Sequence, residues 1–146
     1  MYTIVVGVDE SEGSRKALEW AAEQAAARNG KLILVHAYQV LAGYQPDPEK
    51  SDTGGTGETP VEEETRKAAE TFLKGLVAEL PDDLEVETVV TKGRSSEVLL
   101  EHAEGADVIA VGSRGRGGFT GLLLGSVSQQ VVQHASCPVV VVPKAA

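Results

Sequence analysis

The sequence predicts a single α/β domain over residues 1–146, with five parallel strands in an open sheet and helices on both of its faces. Three observations predict it. Short apolar runs rich in β-branched residues alternate with stretches whose apolar residues recur at helical spacing, which is typical of β-α-β units. Most of these runs are apolar throughout, as strands buried on both faces are. The length of 146 residues fits one domain.

The first part of the chain predicts two buried strands and one helix. Residues 2–8 (YTIVVGV) and 32–37 (LILVHA) are β-branched apolar runs. Between them, residues 14–28 carry apolar side chains at helical spacing, and an Asn-Gly pair ends that helix because glycine accepts the left-handed cap. Residues 38–58 contain prolines and glycines but few apolar residues, which predicts a mobile loop inside the domain.

The second part predicts three helices and three strands in alternation. Thr59 caps the first of these helices, Glu62 completes a capping box, and Pro81 ends the helix near Leu80. Residues 84–91 alternate apolar and polar side chains, which indicates a half-exposed strand at an edge of the sheet. The remaining elements are a short helix over 95–104, a buried strand over 107–112, a helix over 125–135 and a last strand over 138–142.

Charge and composition exclude several functional classes. The chain has 13 Lys and Arg against 22 Asp and Glu, a net charge of −9, which repels the phosphates of nucleic acids and anionic lipids. The hydrophobic content of 42% is too high for a disordered chain, and no apolar run could span a bilayer. The first ten residues lack the basic region of a signal peptide, and Cys137 has no second cysteine to pair with. We therefore expect a protein of the reducing cytoplasm.

A glycine-rich segment after the fourth predicted strand is the most informative stretch of the chain. Residues 112–125 include six glycines, and the missing Cβ atoms let backbone N–H groups converge on one anion. The segment enters the helix that begins near Gly125, where the first N–H groups are unpaired and the helix dipole is positive. Arg114 and Arg116 add cationic donors. Since ligands of open parallel sheets lie beyond the carboxyl ends of strands, we expect a phosphate site here, beside Asp9 at the end of the first strand.

The common phosphate-binding patterns do not fit this segment. The chain has no GxxxxGK followed by Ser or Thr, and residues 115–120 (GRGGFT) follow the fourth strand and lack the third glycine of a dinucleotide fingerprint. The spacing Gly112-x2-Gly115-x9-Gly125-Ser126 instead resembles the nucleotide-binding motif of the universal stress protein family, in its ATP-binding branch. The stretches IVVGVDES, ADVIAVGSRGRGG and GSVSQQVVQHASCPVVVVP extend this resemblance over nearly the whole chain.

The resemblance implies a Rossmann-like adenine-nucleotide-binding fold with strand order 3-2-1-4-5 and the nucleotide between the first and fourth strands. It also implies a homodimer through the C-terminal strand, residues 138–143, and ATP accompanied by Mg²⁺ or Mn²⁺, for which the sequence suggests no protein ligands. Asp9 would meet the adenosine end, although it could also cap the first helix. The implied nucleotide-binding residues are Gly7, Val8, Asp9, Ala37, Val111, Gly112, Ser113, Arg114, Gly115, Arg116, Gly125, Ser126, Val127 and Ser128.

Three functions remain open at this point. The first is a nucleotide-dependent stress-response sensor or adaptor, favoured because the glycine-rich segment contains no histidine, lysine or cysteine to act as a base or nucleophile. The second is a slow ATPase or self-phosphorylating protein, with Ser126 or Ser128 as the acceptor and Asp9 orienting water. The third is a dimeric interaction protein that has lost its nucleotide. We expect no catalytic residues and no metal site built on the three histidines.

Overall fold

The computed structural model describes residues 1–40, 59–114 and 124–143. Within these ranges strands and helices alternate along the chain as the sequence predicts, and no cis peptide interrupts them. The elements are β1 (Thr3–Gly7), α1 (Glu12–Ala27), β2 (Lys31–Tyr38), α2 (Pro60–Ala78), β3 (Glu85–Lys92), α3 (Ser95–His102), β4 (Val108–Gly112), α4 (Ser126–His134) and β5 (Val139–Val142).

The sheet is parallel throughout, and its strand order is β3-β2-β1-β4-β5. This order confirms the one that the family resemblance implies. The half-exposed β3 lies at one edge, as the alternation of residues 84–91 predicts, and β5 lies at the other. Tyr38, the first residue of the predicted loop, belongs to β2, and residues 41–58 of that loop lie outside the described residues.

Helices cover both faces of the sheet, and the sheet separates the core into two layers. Ile4 and Leu34 point to the face where they pack with α1 and α2. Val5 and Ile109 point to the other face, where they pack with α3 and α4. All four of these strand residues are fully buried, as a parallel sheet covered on both faces requires. None of the helices in the described ranges is both long enough and apolar enough to cross a membrane.

Side-chain caps determine where α1 and α2 begin. The Ser11 hydroxyl accepts a hydrogen bond from the Ser14 N–H at the start of α1, and Thr59 accepts one from the Glu62 N–H at the start of α2. The predicted capping box would direct the Glu62 carboxylate back to the Thr59 N–H. In the structure this carboxylate instead pairs with Lys92 of β3 at 2.9 Å. That ion pair joins α2 to the edge strand.

Candidate functional site

The strand order places one crevice at the carboxyl ends of β1 and β4. These strands are neighbours, but the helix that follows β1 lies on one face of the sheet and the helix that follows β4 lies on the other. Such a switch point opens a space for a ligand between the two connections. The crevice is lined by Gly7, Val8, Asp9, Ser11, Ser14, Val35, Ala37, Ser95, Leu99, Val111, Gly112, Arg114 and Val127.

Asp9 lies in a turn between β1 and α1. Its carboxylate oxygen Oδ1 accepts a hydrogen bond from the Ser11 N–H at 2.7 Å, the pattern by which an Asp side chain closes a local turn. The N-cap of α1 is Ser11, so the alternative in which Asp9 caps this helix is wrong. Because the bond to Ser11 uses Oδ1, the carboxylate has a second oxygen with which to accept hydrogen bonds in the crevice.

The end of β4 packs directly on the first turn of α1. A Cβ atom built on Gly112 would lie 2.7 Å from the carbonyl carbon of Gly13 and 2.8 Å from its oxygen. A Cβ atom on Gly13 would in turn lie 2.7 Å from the Arg114 carbonyl oxygen. The space left by the missing side chain of Gly112 is therefore filled by the backbone of α1, while Gly112 itself still lines the crevice. Sequence reasoning missed the role of Gly13.

The start of α4 is fastened to the end of β4 through Ser113. The Ser113 carbonyl oxygen accepts from the Gly125 N–H at 2.6 Å and from the Ser128 hydroxyl at 2.8 Å. The same hydroxyl lies 3.1 Å from the Gly125 carbonyl oxygen, and Ser128 is only 1% exposed. The Ser128 side chain, which the resemblance places at the nucleotide, thus lies on the inward face of α4, beside Val131, and its hydroxyl donates to backbone carbonyls.

The other predicted residues divide between the crevice and its surroundings. The crevice itself contains Gly7, Val8, Asp9, Ala37, Val111, Gly112, Arg114 and Val127. Ser126 lies on an adjoining groove between α3 and α4, and Ser95 and Val127 line both spaces. Gly115 and Arg116 lie outside the described residues. Sequence reasoning missed Ser11, Ser14, Ser95 and Leu99, because nothing in their local sequence links them to a ligand.

The crevice has an acidic side at Asp9 and a side with hydrogen-bond donors at Arg114 and the start of α4. Among the described lining residues, Asp9 is the one acid and Arg114 the one base. The N-termini of α3 and α4 have no side-chain cap, so the first N–H groups of α4 are available to an anion, which the helix dipole also favours. One side can accept hydrogen bonds, and the other can donate them to negative charge.

The described residues do not assemble a metal site of their own. No cluster of three or more His, Cys, Asp or Glu side chains occurs within the described ranges. His36, His102 and His134 lie on β2, α3 and α4. Cys137 is partly buried, and burial, with a smaller effect of the Asp107 carboxylate, raises the pKa of its thiol.

An open parallel sheet with a crevice at its switch point is typical of the class of α/β domains whose ligand sites lie at the carboxyl ends of the strands. Within that class, the chain belongs to the universal stress protein family, whose model matches residues 1–143. It is 38% identical over 139 residues to a universal stress protein of Mycolicibacterium smegmatis, a match that covers 95% of this chain and 45% of the relative. The chain thus spans less than half the length of the curated relatives that it matches.

Solved structures share the fold. A universal stress protein in complex with cAMP is 29% identical, with a TM-score of 0.62 and coverage of 99% of this chain and 98% of that one. A universal stress protein family protein from Arabidopsis thaliana with AMP bound is 21% identical, with a TM-score of 0.63 and coverage of 100% and 94%. The second likeness bears on the fold alone.

Proposed function

We propose that this chain binds ATP in the crevice between β1 and β4 and acts as a nucleotide-dependent sensor or adaptor. One observation carries the proposal: the switch point brings the Asp9 carboxylate and the uncapped N-terminus of α4 to the same crevice. A nucleotide needs an acceptor for its ribose hydroxyl or adenine amine and donors for its phosphates. The complex of a 29% identical family member with cAMP supports an adenine nucleotide as the ligand class.

In this proposal each end of the nucleotide meets its own group of residues. The free oxygen of the Asp9 carboxylate accepts a hydrogen bond from the nucleoside, near Ala37 at the end of β2. The phosphates lie toward Arg114 and the first N–H groups of α4, at Ser126 and Val127. A divalent cation would be held mainly by the phosphates, because the described side chains provide no cluster to bind it.

The proposal treats nucleotide occupancy, and not turnover, as the function. The described lining of the crevice contains no histidine, lysine or cysteine that could act as a base or nucleophile. For self-phosphorylation, Ser126 is the better candidate acceptor, since the Ser128 hydroxyl is buried and bonded to carbonyls. A single-turnover assay with ATP separates these functions: intact bound ATP after minutes supports the sensor, and release of ADP within seconds supports the enzyme.

Calorimetric titration with ATP tests the binding site through Asp9→Asn. The asparagine Oδ1 can still accept from the Ser11 N–H, so the turn is kept, but its amide now presents a donor where the nucleoside needs an acceptor. A hydrogen bond to a charged group contributes about 1.5–3 kcal/mol, so we expect ATP affinity to fall by about 10- to 100-fold. The exposed Asp83→Asn is the matched control. Unchanged affinity in Asp9→Asn, or a wild-type protein that does not bind ATP, contradicts the proposal.

We further propose that β5 forms the interface of a homodimer. It is an edge strand whose four valines are all partly exposed, and an apolar edge needs a cover. The Pro138 and Val142 carbonyls accept from the N–H groups of Ile109 in β4 and of Ser113 just after it, so by alternation the Val141 N–H points away from the sheet. Val141→Pro removes an outward donor and should lower the dimer fraction in light scattering, whereas Val141→Thr keeps the donor and the dimer. A monomeric wild-type protein at micromolar concentration contradicts this proposal.

A further inference from the structure

The peptide group between Val8 and Asp9 is held at both ends by side chains from two other elements. On one side, the Val8 carbonyl oxygen lies 2.8 Å from Nδ1 of His36 on β2. On the other, the Asp9 N–H donates to the hydroxyl of Ser14 on α1 at 2.7 Å. Since both polar groups of this peptide have a partner, its plane is fixed, and with it the direction in which Asp9 leaves the backbone.

His36 performs this task from the opposite face of the sheet. Its strand neighbours Val35 and Ala37 line the crevice, and side chains alternate between the two faces of a strand. The imidazole packs instead against the ring of Phe72 on α2, with ring centroids 5.3 Å apart and planes at 58°. His36 is therefore close to the backbone of the site without facing the space that a ligand would fill.

The position of this contact explains why a side chain is needed there. β1 and β2 are paired up to Gly7 and Val35, and the Val8 N–H still donates to the Val35 carbonyl at 3.0 Å. β1 ends at Gly7, and after Val8 the chain turns away toward α1, so the Val8 carbonyl is the last backbone acceptor beside β2 before the turn. A carbonyl can only accept, so Nδ1 of His36 carries the hydrogen in this bond.

We propose that His36 is a positioning residue of the nucleotide site, acting through the Val8–Asp9 peptide to direct the Asp9 carboxylate into the crevice. This inference rests on the proposed function. Without the imidazole, one end of the peptide is released and the carboxylate samples directions that do not meet the nucleoside. The effect should be confined to the nucleoside end, because the start of α4 is held separately through Ser113.

Two substitutions of His36 separate the hydrogen bond from the bulk of the side chain. Asparagine places an amide donor where Nδ1 stands, one atom beyond Cγ, whereas leucine fills similar space without a donor. We expect His36→Leu to weaken adenosine and ATP by the same factor, about 3- to 10-fold, as one lost hydrogen bond implies. His36→Asn should restore both affinities to within about twofold. Calorimetry gives the affinities, and thermal unfolding monitors the fold of each variant.

A double-mutant cycle with Asp9→Asn shows whether His36 acts through Asp9. If it does, His36→Leu has little further effect on affinity in the Asp9→Asn background, because the two losses are not additive. Fully multiplicative losses, a larger loss for ATP than for adenosine, or no rescue by asparagine would overturn the inference while leaving the proposed function intact. A wild-type protein that binds neither ligand would overturn both. Should His36→Leu fail to fold, His36→Gln, whose amide lies one carbon farther out, replaces it.

Discussion

Gly112→Ala tests the close contact between β4 and α1 that shapes the crevice. The added Cβ would lie 2.7 Å and 2.8 Å from the carbonyl carbon and oxygen of Gly13 and 3.0 Å from the Ser14 nitrogen. All three atoms belong to the backbone, so no side chain can rotate away, and α1 must move relative to the sheet. Overpacking of this kind costs about 1–3 kcal/mol, and we expect the upper half of that range.

The assay is thermal unfolding followed by circular dichroism. For a chain of this size, about 2–3 kcal/mol corresponds to a melting temperature lower by roughly 5–10 °C. Gly75→Ala is the matched control, because a Cβ on Gly75, inside α2, meets nothing within 4 Å. That variant should be more stable by about 0.4–1 kcal/mol, since alanine favours a helix. A Gly112→Ala protein as stable as wild type would refute the reasoning about this contact.

The remaining predictions concern buried and partly buried groups elsewhere in the domain. Ser128→Ala leaves the carbonyls of Ser113 and Gly125 without their hydroxyl donor, so the free energy of unfolding should fall by about 1–2 kcal/mol in denaturant titration, with ATP affinity almost unchanged. The raised pKa of Cys137 means less thiolate near neutral pH, so iodoacetamide should alkylate the folded protein more slowly than the unfolded one. Because the unfolded thiol ionises at lower pH than the folded one, stability should also fall as pH rises past the ordinary thiol pKa. Leu73→Ala, at a side chain 1% exposed in the core, should cost about 2–5 kcal/mol in the same titration.

Apolar periodicity alone predicts how many strands and helices the described ranges contain, and in what order they follow along the chain. Alternation in residues 84–91 correctly indicates the edge strand β3, because only an edge or half-covered strand keeps polar side chains at alternate positions. Periodicity cannot fix which strands are neighbours, however, since every buried parallel strand has the same apolar pattern. The strand order came only from the family resemblance.

The site could be predicted at the level of strand ends but not of individual contacts. Asp9 and Gly112 were placed at the crevice because strand ends meet at one edge of a parallel sheet. The contact of Gly112 with Gly13 joins residues about a hundred positions apart, and no local pattern indicates it. The inward direction of the Ser128 side chain was not anticipated, because a hydroxyl in a first helical turn is typical of anion sites, whereas the three-residue spacing to Val131 places it inward. The hydrogen bond from His36 on β2 to Val8, just after β1, joins residues far apart in the chain, and no local sequence pattern predicts it.

A crystal structure of the protein grown with ATP and Mg²⁺ tests the central claim most directly. The account predicts a nucleotide between β1 and β4, with its nucleoside end hydrogen-bonded to the Asp9 carboxylate and its phosphates at the N-terminus of α4. An empty crevice under saturating ATP, or a nucleotide bound elsewhere on the molecule, would contradict it.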